Sequence, residues 1–471
     1  MRVYLFRYAY SLRKMIPIRS VTSRALRDLQ PSAKENEKLT RIARTVVELV
    51  RKYPSPLVTD VVFGGSFAKG TWLKGDADLD VFVKINPSVD RVEFERLGKD
   101  IGLQSLKKYR TQLRYSEHPY VEAFVNGVRV NIVPCYDVEM GRWKSAADRS
   151  PYHTEYINTN LDAYMKQEVR LLKAFLKSVG IYGAQIAKGG ISGYVTEILI
   201  QKYGTFASAL QSIADIDCRR QIISVRKVDS DVLKSFESNI VIIDPVDPRR
   251  NLGTAITAES LGKFILASRA FIQRPSLHYF VANKYRKSKK EELEPNLLII
   301  EFRYEPRSPD IIWGQLKKML NSISKQLQLS QFNVIRSTCT TDEKGSAVLV
   351  FLLRLITLPS YTERIGPEVF RKKESAKFIS KNVKESLLFW PNRDMRLVGL
   401  FKTKITNAKD FVHSLFFEKL GGVGITEGLK EDIRNGTLKI YTGDEKGMMS
   451  GIVRNAVNEV ISTEWFIADQ H

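Results

Sequence analysis

The sequence predicts an α+β chain of several domains, and three observations carry that prediction. Its 471 residues exceed what one hydrophobic core supports and leave room for about two to four domains. Helix-period and strand-period apolar runs alternate along the chain. A glycine-rich turn, Gly64-Gly65-Ser66-Phe67-Ala68-Lys69-Gly70-Thr71-Trp72, runs almost directly into an acidic strand, Gly75-Asp76-Ala77-Asp78-Leu79-Asp80-Val81-Phe82-Val83.

Each element follows from its residues. Leu39, Ile42, Ala43, Val46 and Val50 recur at helical spacing within Glu35 to Tyr53, with Pro54 as a stop. Val61-Val62-Phe63 is a short apolar strand ending in the Gly-Gly-Ser turn. A helix is expected around Val92 to Tyr109. Tyr120 to Val125 and Val128 to Val133 alternate, and Asn126-Gly127 between them signals a hairpin. Two helices follow, Gln167 to Val179 and Ile191 to Tyr203, then a buried strand, Ile240 to Ile243. The basic run Lys284 to Lys290 is either a domain connector or a solvated loop. Beyond it, strand (Leu298 to Tyr304), helix (Ile311 to Leu327), strand (Phe332 to Thr338) and strand (Ala347 to Ile356) suggest a ferredoxin-like unit with one sheet face open to RNA.

Chemistry concentrates in the turn and the strand after it. Glycines let backbone amides approach a triphosphate, and the Ser66 hydroxyl adds a donor. Side chains alternate along a strand, so Asp78 and Asp80 share one face while Leu79 and Val81 enter the core. Two carboxylates side by side, facing a phosphate loop, form a hard-cation site suited to Mg²⁺. A second cation would divide the work between attacking hydroxyl and leaving pyrophosphate. The net charge of +22 is too large for an ordinary enzyme of small metabolites and points to a nucleic acid, with RNA and DNA not separated by charge. The three cysteines, Cys135, Cys218 and Cys339, lack metal-ligand spacing and fit a reducing cytoplasm. No stretch reaches the roughly 20 apolar residues of a membrane span. Residues 1–14 hold four basic side chains and no acid. They read as a presequence, a surface-binding helix, or an extension before a start at Met15.

Several longer strings resemble the archaeal-type (class I) CCA-adding enzymes, tRNA nucleotidyltransferases of the polymerase-β superfamily. They include Asp148-Arg149-Ser150-Pro151-Tyr152-His153, Glu168-Val169-Arg170-Leu171-Leu172-Lys173, Gly180-Ile181-Tyr182-Gly183-Ala184, Ser192-Gly193-Tyr194, and Asp244-Pro245-Val246-Asp247 with Arg250-Asn251. The resemblance implies a nucleotidyltransferase head (15–153), a helical neck that selects the nucleotide (154–285), and an α+β body with a ferredoxin-like tail (286–471). It implies template-independent rebuilding of the 3′-terminal CCA of tRNA from CTP and ATP with Mg²⁺. Partners would be the acceptor and T stems of tRNA and a second copy of the chain. Carried over residue by residue, Asp78 and Asp80 are metal ligands. Ser66, Lys69, His153, Lys173 and Tyr182 contact the triphosphate, and Arg250 stands where base and primer end are judged. By residue type alone Tyr182 is a core tyrosine, His153 a helix cap and Lys173 a solvated lysine.

One position departs from the resemblance. Where a third metal-binding carboxylate is expected, the chain has Asn131, which can offer a carbonyl oxygen but no charge. Three outcomes are open. Asn131 serves as a weaker ligand, Glu122 or Asp137 compensates, or the chain binds tRNA without catalysis. Retained activity is favoured because the other pocket residues are in place, and Glu122, on the neighbouring hairpin strand, is the better substitute of the two acids. A related poly(A)-type transferase is the alternative within enzymes.

Overall fold

The computed structural model describes residues 18–115, 117–218, 220–281, 292–417, 424–445 and 451–468. Residues 1–14 and the run Lys284 to Lys290 lie outside them. The chain divides into two compact units, one running to Lys284 and taking in Glu464–His471, the other spanning Tyr285–Thr463. The final residues, expected to belong to the body and tail, therefore group with the first unit.

The first unit opens with helical residues 18–29. Helix α1 (Ala33–Arg51) starts at a capping box in which Ser32 and Glu35 satisfy each other's backbone amides, and it buries the expected apolar stripe. Strand β1 (Val58–Gly64) leads into a single helical turn, α2 (Gly65–Ala68), and then β2 (Asp78–Ile85). Helix α3 (Arg91–Ser105), capped by Asp90, ends at Ser105 and does not reach Tyr109. Strands β3 (Thr111–Tyr115), β4 (Pro119–Val125) and β5 (Val128–Tyr136) complete a five-stranded sheet of order β1-β2-β5-β4-β3. Asn126 and Gly127 both adopt positive φ, +50° and +82°, as a two-residue hairpin turn requires. The β2–β5 pair is parallel and the other pairs are antiparallel.

Helices α4 (Arg149–Asn160), α5 (Ala163–Val179), α6 (Gly193–Tyr203), α7 (Phe206–Ala214) and α8 (Ala258–Gln273) follow. A short parallel pair, β6 (Gln221–Ile223) and β7 (Ile240–Ile242), sits between α7 and α8. Their largely aliphatic core holds an aromatic cluster around Phe175, which stacks on Tyr279 at 5.7 Å and lies edge-on to Phe206 and Phe271. Trp465 packs on Tyr279 at 4.6 Å, and Phe466 is fully buried. Burial of these two rings is what ties the C-terminal residues to this unit.

In the second unit β8 (Leu297–Arg303), β9 (Val334–Thr341), β10 (Ser346–Leu353) and β14 (Lys439–Thr442) form an antiparallel sheet of order β14-β8-β10-β9. That is the 4-1-3-2 order of a ferredoxin-like fold. Between β10 and β14 the chain inserts a smaller sheet of order β11-β13-β12, made of β11 (Tyr361–Glu368), β12 (Ser386–Pro391) and β13 (Arg396–Lys402). Helix α9 (Pro309–Leu329) covers one face of the main sheet with Ile312, Leu316, Met319 and Ile323. The other face is not open to RNA, as the sequence pattern suggested. Helix α10 (Gly451–Val460) covers it, packing Val453, Ala456, Val457 and Val460 on Leu297, Ile299, Val348 and Val350. Strands β8 and β10 are apolar on both faces, so both need cover. Among the described residues no helix is long and apolar enough to cross a membrane.

Truncating a fully buried aromatic ring leaves a cavity, so Phe466→Ala is expected to destabilise the first unit by about 3–5 kcal/mol. Urea denaturation of the whole chain reads this, and an unshifted first transition would show that the C-terminal residues do not dock.

Candidate active site

The acidic strand places its side chains as strand periodicity dictates. In β2, Leu79 and Val81 are fully buried while Asp78 and Asp80 face the other way. The parallel register sets Asp78 beside Arg129 and Asp80 beside Asn131. Asn131 Nδ2 donates to Asp80 Oδ1 at 2.9 Å, and Asn131 Oδ1 is buried without a hydrogen-bond partner. Burial raises the Asp80 pKa; the Asn131 hydrogen bond opposes this, and the Asp78 charge adds to it. Arg129 grips Asp78 with a two-point fork, Nε to Oδ1 at 2.8 Å and Nη2 to Oδ2 at 2.5 Å. Gly65, at φ +65°, passes directly over Asp80, and a Cβ there would fall 1.9 Å from Asp80 Oδ2. Only glycine fits.

The two residues weighed as substitutes for the missing acid are engaged elsewhere. Glu122 stands opposite Asn131 in the sheet, yet Arg114 donates to its Oε1 at 3.1 and 2.9 Å. Asp137 accepts from Lys84 at 3.1 Å. Among the described residues no three His, Cys, Asp or Glu side chains converge as a metal cage. Asp78, Asp80 and the unpartnered Asn131 amide oxygen are oxygen donors, the chemistry that suits a hard divalent cation, although the Asn131 atom turned to Asp80 is Nδ2.

Glu197 of α6 organises the opposite wall, and the sequence reading missed it. It is 1% exposed and accepts from Lys69 Nζ at 2.9 Å, Thr71 Oγ1 at 2.6 Å and Lys173 Nζ at 3.3 Å. Lys173 also donates to Thr71 O at 3.1 Å and Thr71 Oγ1 at 2.9 Å. One turn earlier in α5, Arg170 donates to Gly70 O at 2.6 Å and Trp72 O at 3.0 Å. Burial alone would raise the Glu197 pKa, but Lys69 and Lys173 outweigh it and hold the carboxyl ionised. Burial lowers the Lys173 pKa to about 8 despite the Glu197 charge. An acid on a helix otherwise carrying Val195, Ile198, Leu199 and Ile200 was the available signal.

Two cavities result. The smaller, about 460 Å³, is lined by Ser66, Asp76, Asp78, Arg129, Lys173 and Tyr182. Lys177 lies on the same wall, ion-paired with Asp76 and 5.2 Å from the Tyr182 ring. Gly193 lets Tyr182 approach, since a Cβ there would lie 2.9 Å from the Tyr182 hydroxyl. The larger, about 1100 Å³, is lined by Trp143, Arg149, His153, Tyr194, Phe236 and Arg250. Ala184 and Ser192 border both. Behind the lining of the larger one, the fully buried Asp244 binds His153 Nε2 at 2.8 Å and Arg250 Nη1 at 3.4 Å, and His153 stacks on Tyr194 at 3.9 Å. Burial lowers the His153 pKa against the pull of Asp244.

Of the residues singled out from sequence, Ser66, Asp78, Lys173 and Tyr182 thus meet in the smaller cavity, with Asp80 and Asn131 adjoining Asp78. His153 and Arg250 meet in the larger one. Lys69 is buried against Glu197, with its ammonium 4.8 Å over the Tyr194 ring.

Known proteins share the order of these domains. Family models for a nucleotidyltransferase domain (residues 42–153), the second domain of tRNA nucleotidyltransferase (167–281) and the C-terminal domain of the CCA-adding enzyme (295–438) match in succession. The chain is similar to the CCA-adding enzyme of Pyrobaculum neutrophilum, 32% identical over 415 residues, 87% of this chain and 95% of that protein. The CCA-adding enzyme of Methanocaldococcus jannaschii is 32% identical over 441 residues, 90% of this chain and 96% of that protein. Among solved structures, the Cid1 poly(U) polymerase is similar over 56% of this chain and 98% of its own, at 15% identity and a TM-score of 0.45. With the acidic strand, the neck and the C-terminal unit each matched in order along the chain, it belongs to the CCA-adding enzyme family of tRNA nucleotidyltransferases.

Proposed function

We propose that this chain adds C, C and A to the 3′ end of tRNA from CTP and ATP, without a template and with release of pyrophosphate. The observation that carries this is the smaller cavity, whose lining brings together Asp78, Lys173 and Tyr182 and which borders the larger one. That arrangement suits a triphosphate lying between acids and cations, with its nucleoside in the larger space. The +22 net charge suits a tRNA partner gripped through its phosphates, with the acceptor and T stems on the C-terminal unit.

In this reading Asp78, Asp80 and the Asn131 amide oxygen hold Mg²⁺. When bound, the cation polarises the phosphate and makes the 3′-hydroxyl a better nucleophile. Lys173 sets a fixed positive charge against the departing pyrophosphate, and Ser66 and Tyr182 donate hydrogen bonds to phosphate oxygens. Burial raises the Tyr182 pKa, so its hydroxyl stays a donor at working pH. Asp244 fixes the faces that His153 and Arg250 present to the base. The work is positioning and charge neutralisation. A second reading, tRNA binding without transfer, is motivated by Asn131.

A tRNA transcript ending at the discriminator base, with Mg²⁺ and labelled CTP and ATP, separates the readings. Stepwise addition that stops after CCA is expected. Tight tRNA binding without incorporation, or long A-tails, would overturn the proposal.

Lys173 supplies its charge only while protonated, so kcat/KM for CTP, which reports the free enzyme, is expected to fall as pH rises through about 8. Arginine keeps its charge there, so Lys173→Arg should lose that limb even if its plateau is lower; the same limb in both proteins would exclude Lys173 as its source.

Glu197→Gln removes the counter-charge of two buried lysines. A loss of about 3–5 kcal/mol in chemical denaturation is expected, and an unchanged midpoint would show that Lys69 and Lys173 find other partners.

A further inference from the structure

The acidic strand carries a feature that the function above does not use. Arg129 lies two residues before Asn131 on the same face of β5, in register with Asp78. Its fork takes both Asp78 oxygens, and Asn131 takes one of Asp80. Arg129 is no buried structural pair, because its side chain is 47% exposed and lines the smaller cavity beside Lys173. Asp78, Asp80, Arg129 and Asn131 together carry a single negative charge. Two divalent cations a few ångströms apart repel strongly and are held together by carboxylates that bridge or flank them. The triphosphate brings negative charge enough for one cation of its own, and on the protein side one residual negative charge, on a carboxylate pair already engaged by a guanidinium, leaves little to hold a second. Arginine stays charged at every working pH, so its cation is permanent.

We propose that Arg129 is a tethered cation standing in for one of two divalent ions, so that the chain takes up a single divalent cation, held by Asp78 and Asp80, with each nucleotide. The guanidinium then supplies fixed positive charge beside the transferred phosphate. The inference rests on the nucleotide-transfer reading and deepens it, because it specifies the charge inventory of the same site.

Counting bound Mn²⁺ by electron paramagnetic resonance tests it. The whole chain is titrated with Mn²⁺ alone, and with Mn²⁺ plus a non-hydrolysable CTP analogue against a protein-free nucleotide control. One ion per wild-type chain is expected with nucleotide, and two in the Arg129→Gln, Asn131→Asp double variant. Arg129→Gln alone should keep one ion and bind it at least tenfold more tightly, since Asp78 is released. Two ions on the wild-type chain, or unchanged Mn²⁺ affinity in Arg129→Gln, would overturn the inference, and neither reading needs the double variant to fold. Incorporation assays on the same preparation keep the two proposals apart. CCA addition with two bound ions overturns only the tethered cation, and one bound ion without incorporation overturns only the transfer reading.

Discussion

A carboxylate removed from water must be neutralised where it lies, and Glu197 meets that demand with two lysines and a threonine. Lys69 and Thr71 come from the turn after α2, Lys173 from α5 and Glu197 from α6. The turn therefore cannot leave the helices without exposing an uncompensated buried charge. Arg170 reinforces the same attachment by donating to the turn's carbonyls. The distance between the acidic strand and the Lys173 wall follows from this anchorage, and with it the width of the smaller cavity.

The same anchorage joins the two cavities. Lys69 bonds Glu197 and also sits over the face of Tyr194, which stacks on His153. His153 is held by Asp244, and Asp244 also takes Arg250. An unbroken set of contacts thus runs from the Glu197 cluster to the residues bordering the larger cavity. In the smaller cavity and just beside it, Asp76, Asp78 and Asp80 each have a protein partner, Lys177, Arg129 and Asn131 in turn. Each carboxylate thus has a partner before any substrate arrives, although the neutral Asn131 amide leaves one negative charge uncompensated, and substrate binding must exchange those partners for new ones.

The C-terminal unit obeys a different constraint. Its sheet is apolar on both faces, so helices cover both, and the ferredoxin-like order serves as a packed scaffold. The inserted sheet is less enclosed, with Tyr361, Ile365 and Leu388 largely exposed.

Local periodicity made much of the molecule legible in the amino-acid order. The α1 stripe, the Asn126-Gly127 hairpin and the shared face of Asp78 and Asp80 each follow from side-chain spacing or turn chemistry within a few residues. The residue types around Ser66, Lys173 and Tyr182 marked a phosphate site for the same reason. Non-local pairing decided the rest. Strand β14 joins β8 from far along the chain, helix α10 closes a face that pattern alone left open, and Trp465 and Phe466 return to the first unit. Glu197 and Arg129 look ordinary in sequence, a lone acid in an apolar helix and a cation on a strand. Their roles depend on register and burial, because a charge acquires its meaning from the charges and the water that folding puts beside it.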